Sequence, residues 1–285
     1  MDIQKIKQEI KFEEWLVNYA GDDEIVSSWE LKEKLDKEPE NEMRFNSQMD
    51  LLDKFLESFE TGELVVVSGA TGCGKTLFCQ TLTRNFEKQK HKCLWFSYEI
   101  RIKNFFKRFG EYLPLFYLPK NLIDKDVKWI EKKIWEAKLK FQTEVVFIDH
   151  LGFLSDVEKQ KDRRMEIDSL IRKLKLIAIK HNVLIFLMWH NKKPPEQRRN
   201  YEADENDLKE SSAIAQDSDI VLMVSRLSEV IDGIEDWNIG RAKITIIKSR
   251  RSGIMKKSVN LRIFNELFEE DLSLEQENQK NKWET

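Results

Sequence analysis

The chain lacks long apolar runs, and no stretch approaches the roughly 18 residues that a transmembrane helix needs. Its opening residues, MDIQKIKQEIKFEEW, alternate charged and apolar types and therefore lack the apolar core of a secretory signal. Cysteine is scarce, and Cys73, Cys79 and Cys93 are spaced neither for disulfide pairing nor as metal ligands. These absences argue against a membrane partner and favour a reducing compartment. We therefore expect a cytoplasmic protein, or a phage or plasmid protein that acts in the host cytoplasm.

Charge is distributed unevenly along the 285 residues, although the formal net charge is only −3. Positions 1–42 hold 13 acidic and 6 basic residues, and positions 266–285 hold 7 acidic and 2 basic ones. Positions 43–265 are therefore net basic. A basic middle between acidic ends favours a polyanionic partner, but scattered surface lysines explain the pattern equally well.

The pattern predicts three segments. Residues 1–42 read as short helices, one of them in SSWELKEKLDK behind a serine cap. They are too few to bury a core of their own, so we expect them to pack on the main domain or on a neighbouring subunit. Residues 43–268 form the main domain, and residues 269–285 form a polar tail that we expect to be disordered.

The main domain alternates strand-like and helix-like segments. Strands are predicted at LVVVS, CLWFSYE, LPLFYL, EVVFID, VLIFLMW, SDIVLMVS and KITIIKSR. Helices are predicted from about Lys75 to Lys88 and at IKNFFKRFG, KDVKWIEKKIWEAKLK and RMEIDSLIRKLKLIAIKH. Near-continuous apolar strands separated by helices indicate an α/β fold with a mostly parallel sheet covered on both faces.

The stretch GATGCGKT, from Gly69 to Thr76, fits the phosphate-loop pattern G-x-x-x-x-G-K-[ST] between a strand and a helix. Its glycines let backbone N–H groups point at phosphate oxygens, and the helix start adds its positive dipole end. Lys75 would reach the β- and γ-phosphates, and the Thr76 hydroxyl would bind Mg²⁺. The predicted nucleotide-binding residues are Gly69, Ala70, Thr71, Gly72, Cys73, Gly74, Lys75, Thr76 and Leu77.

Three side chains stand at the predicted ends of other strands. Asp149 ends EVVFID and would hold Mg²⁺ through water, unless it is an ordinary strand-ending aspartate. Glu99 follows CLWFSY and could polarise the attacking water, or it could be a solvated helix cap. His190 ends LIFLMWH and could hydrogen-bond the γ-phosphate, although a lone histidine is more often structural.

Lys248 and Arg250 stand two residues apart on a late strand, so their side chains should project on the same side. Such a pair could reach phosphates bound by the next subunit, where the arginine fork suits a transferring phosphoryl group. An edge strand with solvating charges would explain the same residues. Arg251 could act instead, but it should point to the opposite face.

The chain resembles the RecA-like motor domain of the DnaB-like family of ring-shaped replicative DNA helicases. Six stretches carry the resemblance in order: GELVVVSGATGCGKT, LWFSYEI, VVFIDHLGF, MWHNKKP, LKESSAIAQDSDIVLMV and IKSRRSG. The resemblance runs from about Arg44 to Phe264 and is closest to the Twinkle and phage primase-helicase branch. It implies a RecA-like P-loop NTPase fold with ATP and Mg²⁺ as cofactors.

The resemblance also implies roles for the matching residues. The resemblance assigns metal binding to Thr76 and Asp149, and catalytic roles to Lys75, Glu99, His190, Gln216, Lys248 and Arg250. Glu99 would be the catalytic base and Asp149 the Walker B carboxylate. His190 would sense the γ-phosphate, as in the Twinkle-like branch. Bacterial enzymes carry glutamine at this position. Gln216 falls at a family position near the sensor strand, and Arg250 would be an arginine finger acting with its lysine partner in trans.

In the family, two loops that face a central channel hold single-stranded DNA. The matching segments, Ser155–Arg164 and Asn191–Asp207, are charged and rich in helix breakers, which favours loops. If they contact backbone phosphates, binding would depend on salt and would be nearly independent of DNA sequence. If they are mobile solvated loops, they would make no such contacts. The candidate DNA-binding residues are Lys159, Lys161, Arg163, Lys192, Lys193, Arg198 and Arg199.

The expected function is an ATP-dependent DNA helicase or translocase that acts on single-stranded DNA as a hexameric ring. A primase or a loader would be a further partner, and the helices of residues 1–42 would link neighbouring subunits. Two alternatives stay open: a RecA-type recombination or repair ATPase, and a stand-alone ATP-dependent switch that does not unwind DNA. No primase domain and no large N-terminal ring domain is recognised, which keeps the switch credible.

Overall fold

The computed structural model describes residues 11–15, 17–19, 21, 24–37, 43–124, 126–150, 160–190, 212–231, 234–236 and 240–271. The chain forms two compact units, Met1–Asn41 and Glu42–Thr285. Among the described residues, no helix combines the length and the apolar character that a membrane crossing requires.

The first unit contains helix α1 (Ser28–Lys37), which has no buried residue. The Ser27 hydroxyl accepts the backbone N–H of Glu30 at 3.2 Å, and the Glu30 carboxylate accepts the backbone N–H of Ser27 at 2.9 Å. This reciprocal pair satisfies two N–H groups that a helix start otherwise leaves open. The predicted serine cap is confirmed.

The second unit holds the central sheet and six named helices. Its described strands are β1 (Arg44–Phe45), β2 (Phe59–Glu60), β3 (Leu64–Gly69), β4 (Cys93–Ser97), β5 (Val145–Asp149), β6 (Leu184–His190), β7 (Ile220–Arg226), β8 (Glu229–Ile231), β9 (Ile234–Asp236), β10 (Arg241–Ser249), β11 (Lys257–Phe264) and β12 (Leu267–Glu270). Its described helices are α2 (Asp50–Leu56), α3 (Lys75–Lys88), α4 (Ile102–Lys107), α5 (Val127–Phe141), α6 (Gln160–Lys180) and α7 (Ser212–Asp217).

Eight strands form the central sheet in the order β12-β11-β10-β7-β3-β6-β5-β4. The five strands from β7 to β4 run parallel to their neighbours, whereas β10, β11 and β12 add an antiparallel extension. Because β3 lies between β7 and β6, the loop that follows it opens at the middle of the sheet's carboxyl edge. This is where ligands bind in open α/β sheets.

Helices cover both faces of the sheet, because alternate residues of each buried strand point to opposite sides. Val65 and Val67 of β3 face a core shared with α2, α3 and α4. Leu64 and Val66 face a second core shared with α5, α6 and α7. The predicted α/β fold with a mostly parallel sheet is confirmed.

The segment LPLFYL was predicted as a strand and is not one. Tyr117 alone forms an isolated parallel bridge with Leu94 on the free edge of β4. Pro114 and Pro119 flank this bridge, and proline has no N–H to extend a ladder. The predicted strand is therefore reduced to one bridge.

Two boundaries also differ from the sequence pattern. Helix α6 begins at Gln160, so residues 160–164 are helical although Ser155–Arg164 was predicted as a loop. Residues 160–164 contain no glycine or proline, and lysine, arginine and glutamine favour helix. At the other end, Glu270 of β12 accepts the backbone N–H of Leu51 at 2.8 Å. The ordered sheet thus continues past position 268.

Candidate active site

The loop between β3 and α3 needs glycine at two positions. Gly69 has φ +147°, and a Cβ there would lie 2.4 Å from the carbonyl oxygen of Val224. Gly74 caps α3 with φ +106°, and a Cβ there would lie 3.0 Å from the Phe268 ring. Residues with a side chain rarely adopt such a backbone conformation. The loop therefore has the tight, side-chain-free turn that a phosphate cradle requires.

The Lys75 ammonium lies within this loop. Its Nζ donates to the carbonyl oxygens of Gly69 at 2.9 Å and Ala70 at 2.8 Å. Burial lowers the pKa of Lys75, and nearby carboxylates, including Asp149, oppose that shift. A buried cation bound to neutral carbonyls is well suited to exchange them for phosphate oxygens.

Thr76 and Asp149 meet beside the loop. The Thr76 hydroxyl donates to Asp149 Oδ2 at 2.9 Å. Asp149 ends β5 and is fully buried, and its Oδ1 has no hydrogen-bond partner among the described residues. Burial raises the pKa of Asp149 to about 6, and the Thr76 hydrogen bond opposes the rise. A buried carboxylate with one unpaired oxygen beside a hydroxyl fits a hard cation such as Mg²⁺.

A chain of hydrogen bonds connects Lys75, His190 and Glu99. Lys75 Nζ lies 3.0 Å from His190 Nδ1, and His190 Nε2 lies 3.2 Å from a Glu99 carboxylate oxygen. An ammonium can only donate, so Nδ1 must accept and Nε2 must carry the proton that is donated to Glu99. Burial and the Lys75 charge lower the pKa of His190, which favours this neutral form. Glu99 and His190, which were predicted at separate strand ends, thus lie in direct contact, and Lys75 reaches His190 from the loop.

His150 belongs to the same cluster and was assigned no role from the sequence. It follows Asp149 directly at the end of β5, and its ring packs edge-on against the His190 ring with centroids 4.1 Å apart. The sequence offered one signal for His150, its position directly after the strand-ending aspartate. Because neighbouring parallel strands end at the same edge of the sheet, a residue there can be expected near His190.

The remaining loop residues lie around the same turn. The Thr71 hydroxyl lies 3.4 Å from His190 Nδ1. Cys73 is buried in the loop, and burial raises the pKa of its thiol. Leu77 lies in the first turn of α3 and packs against the core below. The predicted nucleotide-binding residues therefore form one continuous loop and helix start.

Lys248 and Arg250 contact a different group of residues. Lys248 Nζ donates to the carbonyl oxygens of Gln216 at 3.1 Å and Ser218 at 2.7 Å. The Arg250 guanidinium donates to the same Gln216 carbonyl oxygen. The two cationic side chains thus reach the same side, as predicted, although β10 ends at Ser249 and Arg250 lies in the turn that follows. Gln216 lies with them.

This group lies at the opposite edge of the sheet from the phosphate loop. In the ladder, Ser249 pairs with Ile220, and Ile220 pairs with Val65 at the amino end of β3. Four residues at about 3.3 Å each separate Val65 from Gly69, or about 13 Å. Lys248, Arg250 and Gln216 are therefore not brought to the nucleotide loop of their own subunit.

Arg251 points away from Arg250 into a cluster of glutamates. Its guanidinium lies 3.2 Å from Glu60 and 3.4 Å from Glu63, and it donates to the carbonyl oxygen of Ser58. The predicted opposite orientation of the two arginines is confirmed. These contacts favour a structural role for Arg251.

The predicted DNA-binding residues fall at or beyond the limits of the description. Lys161 and Arg163 lie in α6, in the stretch 160–164 that corrects the predicted loop, and their side chains are outside the description. The others, Lys159, Lys192, Lys193, Arg198 and Arg199, lie outside the described residues.

Comparison with known proteins places this geometry in a family. The model of the DnaB-like helicase C terminal domain matches residues 120–269. The probable replicative DNA helicase of Trieres chinensis is 29% identical over 209 residues, covering 61% of this chain and 46% of that protein. The replicative DNA helicase DnaB of Mycoplasma pneumoniae is 26% identical over 243 residues, covering 71% and 51%. The chain thus spans about half the length of these curated relatives.

Solved structures show the same fold. One of them, an ATPase domain, superposes with a TM-score of 0.68 at 20% identity, covering 85% of this chain and 96% of that one. A DnaB-like replicative helicase, described with its interactions with primase, superposes with a TM-score of 0.70 at 19% identity, covering 93% and 73%. Both confirm the RecA-like fold. Because the family model covers more than half of the sequence, this chain belongs to the DnaB-like helicase C-terminal domain family.

Proposed function

We propose that this chain is the ATP-dependent motor of a DNA helicase or translocase in the cytoplasm. It acts on single-stranded DNA as a hexameric ring and hydrolyses ATP between subunits. One observation carries the proposal: the residues predicted to act in hydrolysis lie at opposite edges of one sheet. A site built across two subunits makes use of both edges, and a ring closes such head-to-tail contacts.

The carboxyl edge supplies the groups that bind and activate. Lys75 exchanges the loop carbonyl oxygens that it now contacts for phosphate oxygens. Mg²⁺ held by Thr76 and Asp149 would neutralise negative charge on the phosphates. Glu99 accepts the proton of the attacking water, and His190, which donates to Glu99, orients its carboxylate.

The amino edge supplies the cations for a neighbour. Lys248 and Arg250 lie about 13 Å or more from their own loop. Their side chains contact carbonyl oxygens, and Asp219 lies 3.8 Å from the Arg250 guanidinium. Arg250 is 50% exposed and so accessible to a second subunit. An arginine finger of this kind accelerates phosphoryl transfer by about 10³- to 10⁵-fold.

The proposal includes partners that the described residues do not reach. The segments 155–164 and 191–207 bind the DNA backbone, and His190 couples hydrolysis to their movement. Exposed Trp29 and Leu35 on α1 support a contact with a neighbouring subunit. A primase joins the ring, as the description of one structural relative suggests, or a loader does. Placement in the Twinkle and phage branch is part of the proposal and rests on His190.

The first test is ATP turnover with and without single-stranded DNA at one fixed moderate salt concentration. We expect strong stimulation by DNA, and Lys75→Ala should abolish turnover in both conditions. Turnover indifferent to DNA would favour a stand-alone switch, and filaments in electron micrographs would favour a recombination ATPase. Turnover that survives Lys75→Ala would refute the phosphate-loop assignment.

A mixing experiment tests action across subunits. Lys75→Ala and Arg250→Ala subunits should each be inactive alone. In an exchanged equimolar mixture about one interface in four combines an intact loop with an intact arginine, so turnover should reappear. If exchange is shown by fluorescence transfer and the mixture stays inactive, Arg250 does not act in trans.

A further inference from the structure

Three neighbouring parallel strands deliver a histidine-rich cluster to one point. Glu99 lies two residues beyond β4, His150 one residue beyond β5, and His190 ends β6. One potential ligand atom from each lies within 4.8 Å of the other two. The cluster is partly open to solvent, since the Glu99 side chain is 33% and the His190 side chain 20% exposed. An ion from solvent can therefore reach it.

The donor set differs from that of the Mg²⁺ position. Mg²⁺ prefers oxygen ligands, which Thr76 and Asp149 offer, whereas imidazole nitrogen suits Zn²⁺ and related transition metals. Two histidines with one carboxylate form a common zinc ligand set. Within the described ranges, no other three such ligand residues lie this close together.

We propose that Glu99, His150 and His190 form a transition-metal site, selective for Zn²⁺ over Mg²⁺, whose occupation blocks ATP hydrolysis. The binding itself does not depend on the function proposed above. The block does rest on it, because Zn²⁺ would occupy the carboxylate assigned as base and the histidine assigned as sensor.

The hydrogen bonds of His190 predict how binding is regulated. Nε2 now carries the ring proton. A metal on Nε2 therefore requires that proton to move to Nδ1, and no proton is released overall. At Nδ1 the Thr71 hydroxyl, 3.4 Å away, can accept it. The Lys75 ammonium, 3.0 Å away, cannot accept and must withdraw. Lys75 therefore competes with the metal, and removing Lys75 should strengthen binding.

The test uses the full chain without nucleotide, titrated with Zn²⁺ against a chromophoric chelator. His150→Asn should weaken Zn²⁺ binding by at least about tenfold, as should Glu99→Gln, and Lys75→Ala should strengthen it. The matched control is His91→Gln, because His91 also lies 3.2 Å from a glutamate, Glu144, but is not part of the cluster. It should bind Zn²⁺ like the unchanged protein.

Several results would overturn the site. These are Zn²⁺ binding unchanged in both His150→Asn and Glu99→Gln, binding lost in Cys73→Ser, or displacement by millimolar Mg²⁺. Circular dichroism identifies any variant that fails to fold, and the other ligand variant then decides. Co²⁺ provides a second readout, since its visible absorption should develop in the unchanged protein and not in His150→Asn.

The two proposals fail in different ways. With free Zn²⁺ buffered and MgATP in excess, turnover of the unchanged protein should fall, and turnover of His150→Asn should not respond. Zn²⁺ binding that depends on His150 in a protein without ATPase activity would refute the proposed function and leave the site. Turnover stimulated by DNA but indifferent to Zn²⁺ would refute the block and leave the function.

Discussion

Arg251→Ala should destabilise the protein, whereas Arg250→Ala should stop turnover without destabilising it. Arg251 is 25% exposed and lies between Glu60 and Glu63, whose side chains are each 12% exposed. Glu57 lies 3.8 Å away on the same guanidinium. Removing this cation leaves nearly buried carboxylates facing one another. Arg250, by contrast, is half exposed.

The magnitude follows from burial. Removing one partner of a fully buried ion pair costs about 3–5 kcal/mol, and solvent screening of the partly exposed Arg251 reduces this to about 2–3 kcal/mol. For Arg250, a half-exposed group, the expected change is within about 0.5 kcal/mol. Its turnover should fall by about 10³-fold or more.

The loss at Arg251 should also depend on pH. Burial raises the pKa of Glu63, and the Arg251 charge and hydrogen bond hold it down. Without Arg251 the folded-state pKa rises further above the unfolded value. A raised carboxyl pKa means stability that is present at low pH and lost as pH rises through the folded pKa. Arg251→Ala should therefore lose more stability at pH 8 than at pH 4.5.

Urea unfolding followed by tryptophan fluorescence, at both pH values, measures these changes beside ATP turnover. Equal midpoints for Arg251→Ala and the unchanged protein would refute the stabilising role of the glutamate cluster. A folded Arg251→Ala that loses turnover, together with an active Arg250→Ala, would reverse the assignment of the two arginines.

Three further changes test the site. Asp149→Asn should raise the free energy of unfolding by about 1–3 kcal/mol at pH 8 and leave it unchanged near pH 4, because burial raises the carboxyl pKa to about 6 and its ionisation then opposes folding. Urea midpoints without divalent cations measure this, and an equal gain at both pH values would contradict it. Gly69→Ala should lower the free energy of unfolding by about 2 kcal/mol or more and abolish nucleotide binding, since its Cβ would meet a backbone carbonyl. Gly72→Ala should lower it less, because the space around its Cβ is open. Thermal unfolding and fluorescent-nucleotide binding compare the two variants. Glu99→Gln should keep nucleotide binding and lower turnover by about 10²-fold or more, and lost binding would argue against its role as a base.

The phosphate loop and the convergence of several strand ends can be predicted from the sequence. Helix α3 spans Lys75–Lys88 as the pattern predicts, because a glycine-rich turn followed by helix-forming residues is encoded locally. Glu99, Asp149 and His190 could be expected to meet, because parallel strands in one sheet end at the same edge. Their identification depended on local patterns and on one general rule of sheet geometry.

The positions of the remaining groups depend on how the strands pair and pack. The antiparallel pairing of β10 with β7 puts Lys248 and Arg250 at the amino edge, away from their own loop. The packing of His150 against His190 likewise depends on β5 and β6 being neighbours. Local periodicity tells which residues are buried, but strand order and direction depend on contacts between distant parts of the chain. Those contacts form only when the whole core is packed, and they decide which charged side chains share a site.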